Sequence, residues 1–113
     1  MSLPVHNKPE AAADVSEAYY WYERKEPGVG EQFKQAVREA SAAIQANPMA
    51  WPNSPLAVRA VKLKYFPHKI IYTVEADEIL VWSVWHPSRN PKELAKRVKR
   101  IGKGWTSRPG EIT

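Results

Sequence analysis

The sequence predicts an α+β fold in which an N-terminal helical hairpin packs on an antiparallel sheet of three to four strands, followed by a short C-terminal helix. Apolar residues recur every three or four positions through the first 45 residues, which is the period of a helix. After residue 57 the period changes to two, which is the period of a strand. Pro48, Pro52 and Pro55 separate the two halves, because proline cannot continue a helix.

The first helix is predicted from Pro9 to about Lys25. A proline fits the first turn of a helix, where its missing N–H costs no hydrogen bond. The segment EPGVGE then ends this helix. A second apolar stripe between Phe33 and Ile44 predicts another helix, and the short Gly/Pro turn makes the two helices antiparallel.

The stretches VRAVKLKYF and KIIYTVEADEILVWSVWH predict three strands, with the polar EADE between the last two. Ile70, Tyr72 and Val74 share one parity and are expected to face the helices. The last strand is apolar on both faces, which predicts a central or covered position. LPVH at the start has room for a fourth strand, and KELAKRVKRI predicts the C-terminal helix.

Length and composition predict a single domain over residues 1–100 and a mobile tail over 101–113. The chain has no cysteine, which excludes disulfides and thiolate chemistry. No stretch has the length and apolarity of a signal peptide or a membrane span. We therefore expect a cytoplasmic protein that does not contact membranes.

The net charge of +5 is unevenly distributed along the chain. Residues 1–56 carry five Lys and Arg against seven acids, whereas residues 57–113 carry twelve against five. A basic half on a small domain attracts polyanions such as nucleic acid. The alternative, a solvated basic surface that keeps the protein soluble, remains open at this point.

Known signatures of metal, nucleotide and nucleophile sites are missing from the sequence. It contains no P-loop, GxGxxG, HExxH or GxSxG motif. His6, His68 and His86 are scattered, so they do not predict a metal site. We expect neither a metal nor a cofactor.

Basic residues along the predicted sheet and after it form the candidate site. Lysine and arginine donate charge-assisted hydrogen bonds to phosphate oxygens. The expected phosphate- or nucleic-acid-binding residues are Arg59, Lys62, Lys64, Lys69, Arg89 and Arg97. An outward lysine is also an ordinary device that prevents aggregation at a strand edge, so a purely structural interpretation stays open.

The segment SVWHPSRNP places a histidine and an arginine where the last strand ends. RNA can be cleaved without metal when its 2′-hydroxyl attacks the adjacent phosphate, provided that cations stabilise the developing charge and a histidine moves protons. The candidate catalytic residues are His86, Lys62, Lys69 and Arg89. In the alternative interpretation, His86 only hydrogen-bonds within a turn.

The tryptophans have a second candidate role, in binding a partner protein. Periodicity already accounts for Trp21, Trp82 and Trp85 as core or interface residues. Trp51 in the proline-rich loop and Trp105 in the tail have weaker structural explanations. We predict that these two residues dock a partner chain.

Three segments resemble the RelE/ParE superfamily of type II toxin–antitoxin toxins. They are EAYYWYERKEPGVGEQF, AIQANPMAWP and LKYFPHKIIYTVEADEILVWSVWHPSRNPKELAKR, and together they extend from about residue 5 to residue 98. The resemblance implies a helical hairpin on a curved antiparallel sheet. It also implies a toxin, with a role such as plasmid stabilisation, that a cognate antitoxin neutralises.

Two mechanisms are implied by the resemblance, and both stay open. RelE-like members cut mRNA at the ribosome as metal-independent endoribonucleases (mRNA interferases), whereas ParE-like members inhibit DNA gyrase. By resemblance, Lys62 matches a catalytic lysine of the RelE-like group, and Lys69 and Arg89 match its two arginines. Ala60 stands where the RelE-like group has a second lysine. The aromatic acid–base residue that this group has near its C-terminus has no clear counterpart here, and His86 is the residue that could substitute for it chemically.

Partners follow from the same resemblance. They are the antitoxin, the ribosome with its mRNA or DNA gyrase, and operator DNA through the antitoxin only. A homodimer or a heterotetramer is also implied. The alternative function is a catalytically inactive member of the family or a basic nucleic-acid-binding module without nuclease activity.

Overall fold

A computed structural model describes residues 2–54, 58–90, 92–94 and 96–97 of the chain. Two helices and four strands follow one another along these residues. In chain order they are β1 (Val5–Asn7), α1 (Pro9–Lys25), α2 (Val29–Ala46), β2 (Arg59–Lys62), β3 (Lys69–Val74) and β4 (Ile79–Trp85). Helical residues at 92–94 and 96–97 form the short C-terminal helix that the sequence predicts. The predicted tail over 101–113 lies outside the described residues.

The helical hairpin is held at its turn by one side chain. Gly28 precedes α2 with φ 95°, a conformation that glycine adopts without steric cost. The Glu23 carboxylate accepts hydrogen bonds from the backbone N–H groups of Gly28 and Gly30, both at 2.8 Å. One of these N–H groups belongs to the cap residue of α2 and the other to its first turn. N–H groups at these positions have no hydrogen-bond acceptor within the helix. Glu23 of α1 therefore fixes the start of α2.

Gly30 is where the two helices approach most closely among the described glycines. A Cβ at this position would lie 2.5 Å from Cγ of Glu23 and 2.7 Å from the carbonyl oxygen of Tyr19. We expect Gly30→Ala to lower the free energy of unfolding by about 1.5 kcal/mol, because overpacking outweighs the better helix propensity of alanine. Urea unfolding measures this change. Gly28→Asn is the matched control and should change stability little, since asparagine tolerates a positive φ and nothing lies within 4 Å. An alanine variant as stable as wild type would contradict the close contact.

The sheet has the strand order β1-β4-β3-β2. β2 with β3 and β3 with β4 are antiparallel, as the sequence predicts for three strands. β1 confirms the expected fourth strand, but it pairs with β4 in parallel, so the sheet is mixed. The difference arises because α1 carries the chain from β1 across the helix layer, and the last strand returns beside β1 in the same direction. β4 is thereby central, as its apolarity on both faces predicts.

A β-bulge in β4 changes which side chains face the helices. Ile71 pairs with Ser83 and Tyr72 pairs with Val81, so that Trp82 is an extra residue without an opposite partner. Before the bulge, the odd-numbered residues of β4 face the helices, whereas after it the even-numbered ones do. Val84 accordingly lies in the same core cluster as Val81.

Apolar residues form one cluster on each face of the sheet. The larger cluster lies between the sheet and the helical hairpin and includes Phe33, Ile44 and Tyr72, each fully buried. Ile70 and Tyr72 belong to it and Val74 packs against it, which confirms the predicted inward parity. The smaller cluster lies on the opposite face: Val58, Ile71 and Trp85, with Trp82 and Leu94 packed against them. Among the described residues, no helix has the length and apolarity needed to cross a membrane.

Candidate functional site

A cleft of about 630 Å³ opens between α1 and the end of β4. Trp21 and Tyr22 of α1 line one side, and His68, His86 and Arg89 line the other. Its wall also includes Asp14, Glu17, Ala18, Arg24, Val84 and Ser88. Aromatic rings with a few convergent polar groups are typical of a binding site. This cleft is the first candidate site.

Two histidines meet at the floor of the cleft. The ring centroids of His68 and His86 are 4.8 Å apart, and His68 also contacts the rings of Phe33 and Tyr22. His68 is only 5% exposed, and its Nδ1 has no hydrogen-bond partner within the part of the chain that the structure describes. Burial, and secondarily the nearby His86, lowers the pKa of His68 to about 4. His68 is therefore neutral at physiological pH.

His86 is held by the turn that follows β4. Its Nδ1 accepts a hydrogen bond from the backbone N–H of Ser88 at 2.9 Å and lies 2.7 Å from the Ser88 hydroxyl oxygen. Because a backbone N–H can only donate, Nδ1 is the unprotonated nitrogen of the neutral ring, and Nε2 carries the proton. This contact is a hydrogen bond of His86 within a turn, as in the alternative interpretation of the sequence.

Asp14 of α1 forms the centre of a polar network beside the cleft. Its carboxylate accepts hydrogen bonds from the Ser83 hydroxyl and the Val84 backbone N–H, both at 3.0 Å. It also forms ion pairs with Arg89 at 3.2 Å and with Arg97 at 3.0 Å. The Asp14 side chain is only 9% exposed. Four donors thus converge on one nearly buried carboxylate, which satisfies the lone pairs that burial removes from water.

The topology of the sheet explains why Asp14 is needed there. β1 pairs only with Ile79–Val81, so no strand of the described residues lies on that side of the second half of β4. The Val84 N–H would be unpaired, and an unpaired buried N–H is costly. Asp14 supplies the missing acceptor. The guanidinium groups of Arg89 and Arg97 complete the network, with their central carbons 4.2 Å and 5.3 Å from the centroid of the Trp85 ring.

The predicted catalytic residues are not brought together as one group. Lys62 and Lys69 are direct partners across β2 and β3, as predicted. Lys69 is also opposite Trp85, on the face of the smaller cluster. His86 instead lies on the helix face with His68. The bulge is the cause, because strict alternation along β4 would put His86 on the lysine face.

The other predicted phosphate-binding residues lie in three different places. Arg59 is on the helix face, where its guanidinium donates to the Trp51 carbonyl. Lys64 lies beyond the end of β2, in the connection to β3. Arg89 and Arg97 are both engaged with Asp14. The six residues therefore do not form one continuous patch.

Of the two tryptophans predicted to bind a partner, Trp51 lies within the described residues. Trp51 is partly buried and packs against the larger core cluster. Its ring is therefore not a free anchor, and the predicted docking role stays a prediction. Trp105 lies outside the described residues. Among the residues that the structure describes, no group of three or more His, Asp or Glu side chains is arranged to hold a metal ion.

Sequence reasoning missed Asp14 as a site residue, although a signal for it exists. Ala11, Asp14 and Ala18 are spaced by three and four residues on one face of α1. A carboxylate within an otherwise apolar stripe predicts a buried polar partner. His68 gives no comparable signal, because its burial depends on the packing of α1 and α2 against the start of β3.

The comparison with protein families identifies the chain. The family described as "ParE toxin of type II toxin-antitoxin system, parDE" matches residues 5–91, which is most of the described chain. The chain belongs to the ParE toxin family. It is thus a toxin of a type II toxin–antitoxin system, as the resemblance to the RelE/ParE superfamily predicts, and an antitoxin partner is implied.

A solved structure similar to this ParE-family chain is that of the "Chromosomal ParDE TA system from P. aeruginosa". The two share 24% sequence identity, with a TM-score of 0.67, over 75% of this chain and 96% of that chain. This likeness supports the α+β fold described above. No curated protein matches the chain.

Proposed function

We propose that this toxin arrests bacterial growth by binding DNA gyrase in the cytoplasm, without cleaving RNA, and that its antitoxin neutralises it. One observation carries the choice of target. The bulge in β4 places His86 on the helix face of the sheet, whereas Lys62 and Lys69 are on the opposite face, and Asp14 engages Arg89. A nuclease of this kind needs its proton-transfer group and its cations around one phosphate.

Exposed aromatic residues support a binding function. Tyr20 and Trp21 on α1 are 61% and 50% exposed, and Trp21 borders the cleft. Large aromatic side chains are typical anchors of protein interfaces. They belong to the YYWY segment, which offers the apolar anchors that a non-enzymatic inhibitor needs.

Ribosome-dependent mRNA cleavage is the second candidate function. The exposed Lys62–Lys69 pair favours it, since both residues match cationic positions of the RelE-like group. In that mechanism His86 is the proton-transfer group. The two candidates therefore make opposite predictions for one substitution.

We expect His86→Gln to retain growth arrest within about twofold, because a binding mechanism needs no proton transfer, whereas loss of a general acid–base group costs about 10²–10⁴-fold in rate. The measurement is pulse-labelling of DNA and protein synthesis in the first minutes after induction. DNA synthesis should stop before protein synthesis in both wild type and the variant. The purified chain should also inhibit supercoiling by gyrase.

A different outcome would contradict the gyrase proposal. Early loss of translation, abolished by His86→Gln in a chain that still unfolds cooperatively, would replace the gyrase proposal with the nuclease. The variant His6→Gln is the matched control, because His6 lies at the N-terminal edge of the sheet and outside the cleft. It should behave as wild type under either mechanism.

A further inference from the structure

The connection between β2 and β3 presents an exposed aromatic ring. The backbone N–H of Leu63 donates to the His68 carbonyl at 2.9 Å and closes this hairpin. Tyr65, at its tip, is 85% exposed, more than the other exposed large apolar side chains of the described chain. We refer to residues 64–67, which lie between the closing residues, as the hairpin tip.

Folding does not account for a tyrosine at this position. Tyr65 has φ 68°, the one positive φ among the described non-glycine residues. A bulky side chain in the left-handed region costs on the order of 1 kcal/mol, and an exposed ring recovers little of this by burial. Glycine would adopt the same backbone without strain. A strained, exposed aromatic residue therefore points to recognition.

The hairpin tip is rigidly anchored beside that ring. The next residue, Phe66, is buried, with its ring centroid 5.0 Å from that of Tyr22 and 5.2 Å from that of Phe33. Pro67 restricts the backbone further. The ring of Tyr65 is thus presented from a fixed support, which lowers the entropy cost of binding.

Three lysines lie in the hairpin tip or in the strand residues beside it. Lys64 Nζ lies 5.2 Å from the centroid of the Tyr65 ring. Lys62 Nζ donates to the Leu63 and Phe66 carbonyls at 3.4 Å and 3.2 Å, so its charge lies against the tip. Lys69 is its partner across the strands. Within the described part of the chain, none of the three has a carboxylate within 4.0 Å.

We propose that the hairpin tip binds single-stranded nucleic acid, with Tyr65 stacked on an unpaired base and Lys62, Lys64 and Lys69 on the flanking phosphates. An exposed planar ring with cations beside it matches the repeating unit of a strand, a base flanked by phosphates. An acidic peptide would use the cations and leave the ring without a planar partner. Stacking and phosphate contacts do not read the 2′-hydroxyl, so a DNA strand and an RNA strand both fit.

The central test is fluorescence anisotropy with a labelled single-stranded oligonucleotide of about twelve nucleotides, within the range of known site sizes. We expect Tyr65→Gly to raise Kd about tenfold, as loss of one stacked base does. Tyr65→Phe should bind within about twofold of wild type, because the stacking ring remains. Met49→Ala, which removes an exposed apolar side chain outside the hairpin tip, should bind as wild type.

Unfolding measurements keep a folding defect apart from a binding defect. Tyr65→Gly should be at least as stable as wild type, because the backbone strain is relieved. Weaker binding by a chain of equal or higher stability then reports the contact itself. Wild-type affinity of Tyr65→Gly would overturn the stacking role.

Charge is tested separately by salt dependence. Lys64→Gln should reduce the slope of log Kd against log salt by about 0.7, the value for one phosphate contact on a single strand. Lys34→Gln, which removes a lysine from α2, should leave the slope unchanged. Equal changes in the two variants would overturn a localised site and leave only non-specific attraction.

Two further experiments compare DNA with RNA as the bound strand and separate nucleic-acid binding from the proposed inhibition of gyrase. DNA and RNA oligonucleotides of the same sequence show which strand the tip prefers, and either preference supports the site. If Tyr65→Gly lost growth arrest while the wild-type chain bound no oligonucleotide, the tip would contact a protein and the nucleic-acid proposal would fail. Gyrase inhibition is measured independently, so failure of one proposal is visible without failure of the other.

Discussion

Asp14→Ala should lower the free energy of unfolding by about 3–5 kcal/mol, the range observed when one member of a buried ion pair is removed. The substitution leaves Arg97, whose side chain is only 16% exposed, without its carboxylate. It also removes the acceptor of the Val84 N–H at the uncovered edge of β4. Chemical denaturation of the purified variant measures the loss.

A double variant shows whether the unpaired charge causes that loss. In the Asp14→Ala background, Arg97→Met removes the uncompensated guanidinium and should restore about 1 kcal/mol or more, a non-additive effect typical of residues in contact. Glu17→Ala, an exposed acid on the next turn of α1, should change stability by less than about 0.5 kcal/mol. Strictly additive effects of Asp14 and Arg97 would contradict the network.

Acidification should destabilise the fold through His68. In the folded chain the pKa of His68 is lowered to about 4 from its ordinary 6.5, so the unfolded chain binds the proton first as pH falls. The stability that neutral His68 permits is fully present above pH 6.5 and is lost as pH falls toward 4. Between pH 7 and pH 5 this linkage removes about 2 kcal/mol.

His68→Phe should abolish most of this pH dependence, because phenylalanine keeps an aromatic ring against Phe33 and Tyr22 but binds no proton. Urea unfolding of wild type and variant at the two pH values gives the comparison. His86→Gln removes only the second cause of the lowered pKa, so it should retain most of the wild-type loss. A loss in His68→Phe as large as in wild type would mean that other groups carry the acid sensitivity.

Periodicity sufficed to predict the helices and the three antiparallel strands. Apolar spacing in α1 and α2 and alternation in β3 depend on which face is buried, and a sequence records this directly. The parallel pairing of β1 cannot be predicted in this way, because its three residues are too few to show a period. Its partner is set by where α1 returns the chain.

The candidate site is harder to predict than the fold, because one extra residue in β4 changes which face of the sheet the following side chains occupy. An alternating pattern in β4 groups His86 with Lys62 and Lys69, and the extra residue Trp82 moves His86 to the helix side. A bulge depends on hydrogen bonds between strands, which no local pattern specifies. Asp14 and Tyr65 depend likewise on tertiary structure, a half-covered strand in one case and a left-handed backbone in the other.

The central position of β4 also determines when this toxin can fold during its synthesis. Of the strands in the described residues β4 is made last, yet β1 and β3 both pair with it and α1 caps its edge through Asp14. A nascent chain that ends before Ile79 has both helices but no partner for β1, and closing such long sequence separations is entropically slow. Folding is therefore completed only after translation has passed β4, so a chain released prematurely would be unfolded and not a partly active toxin.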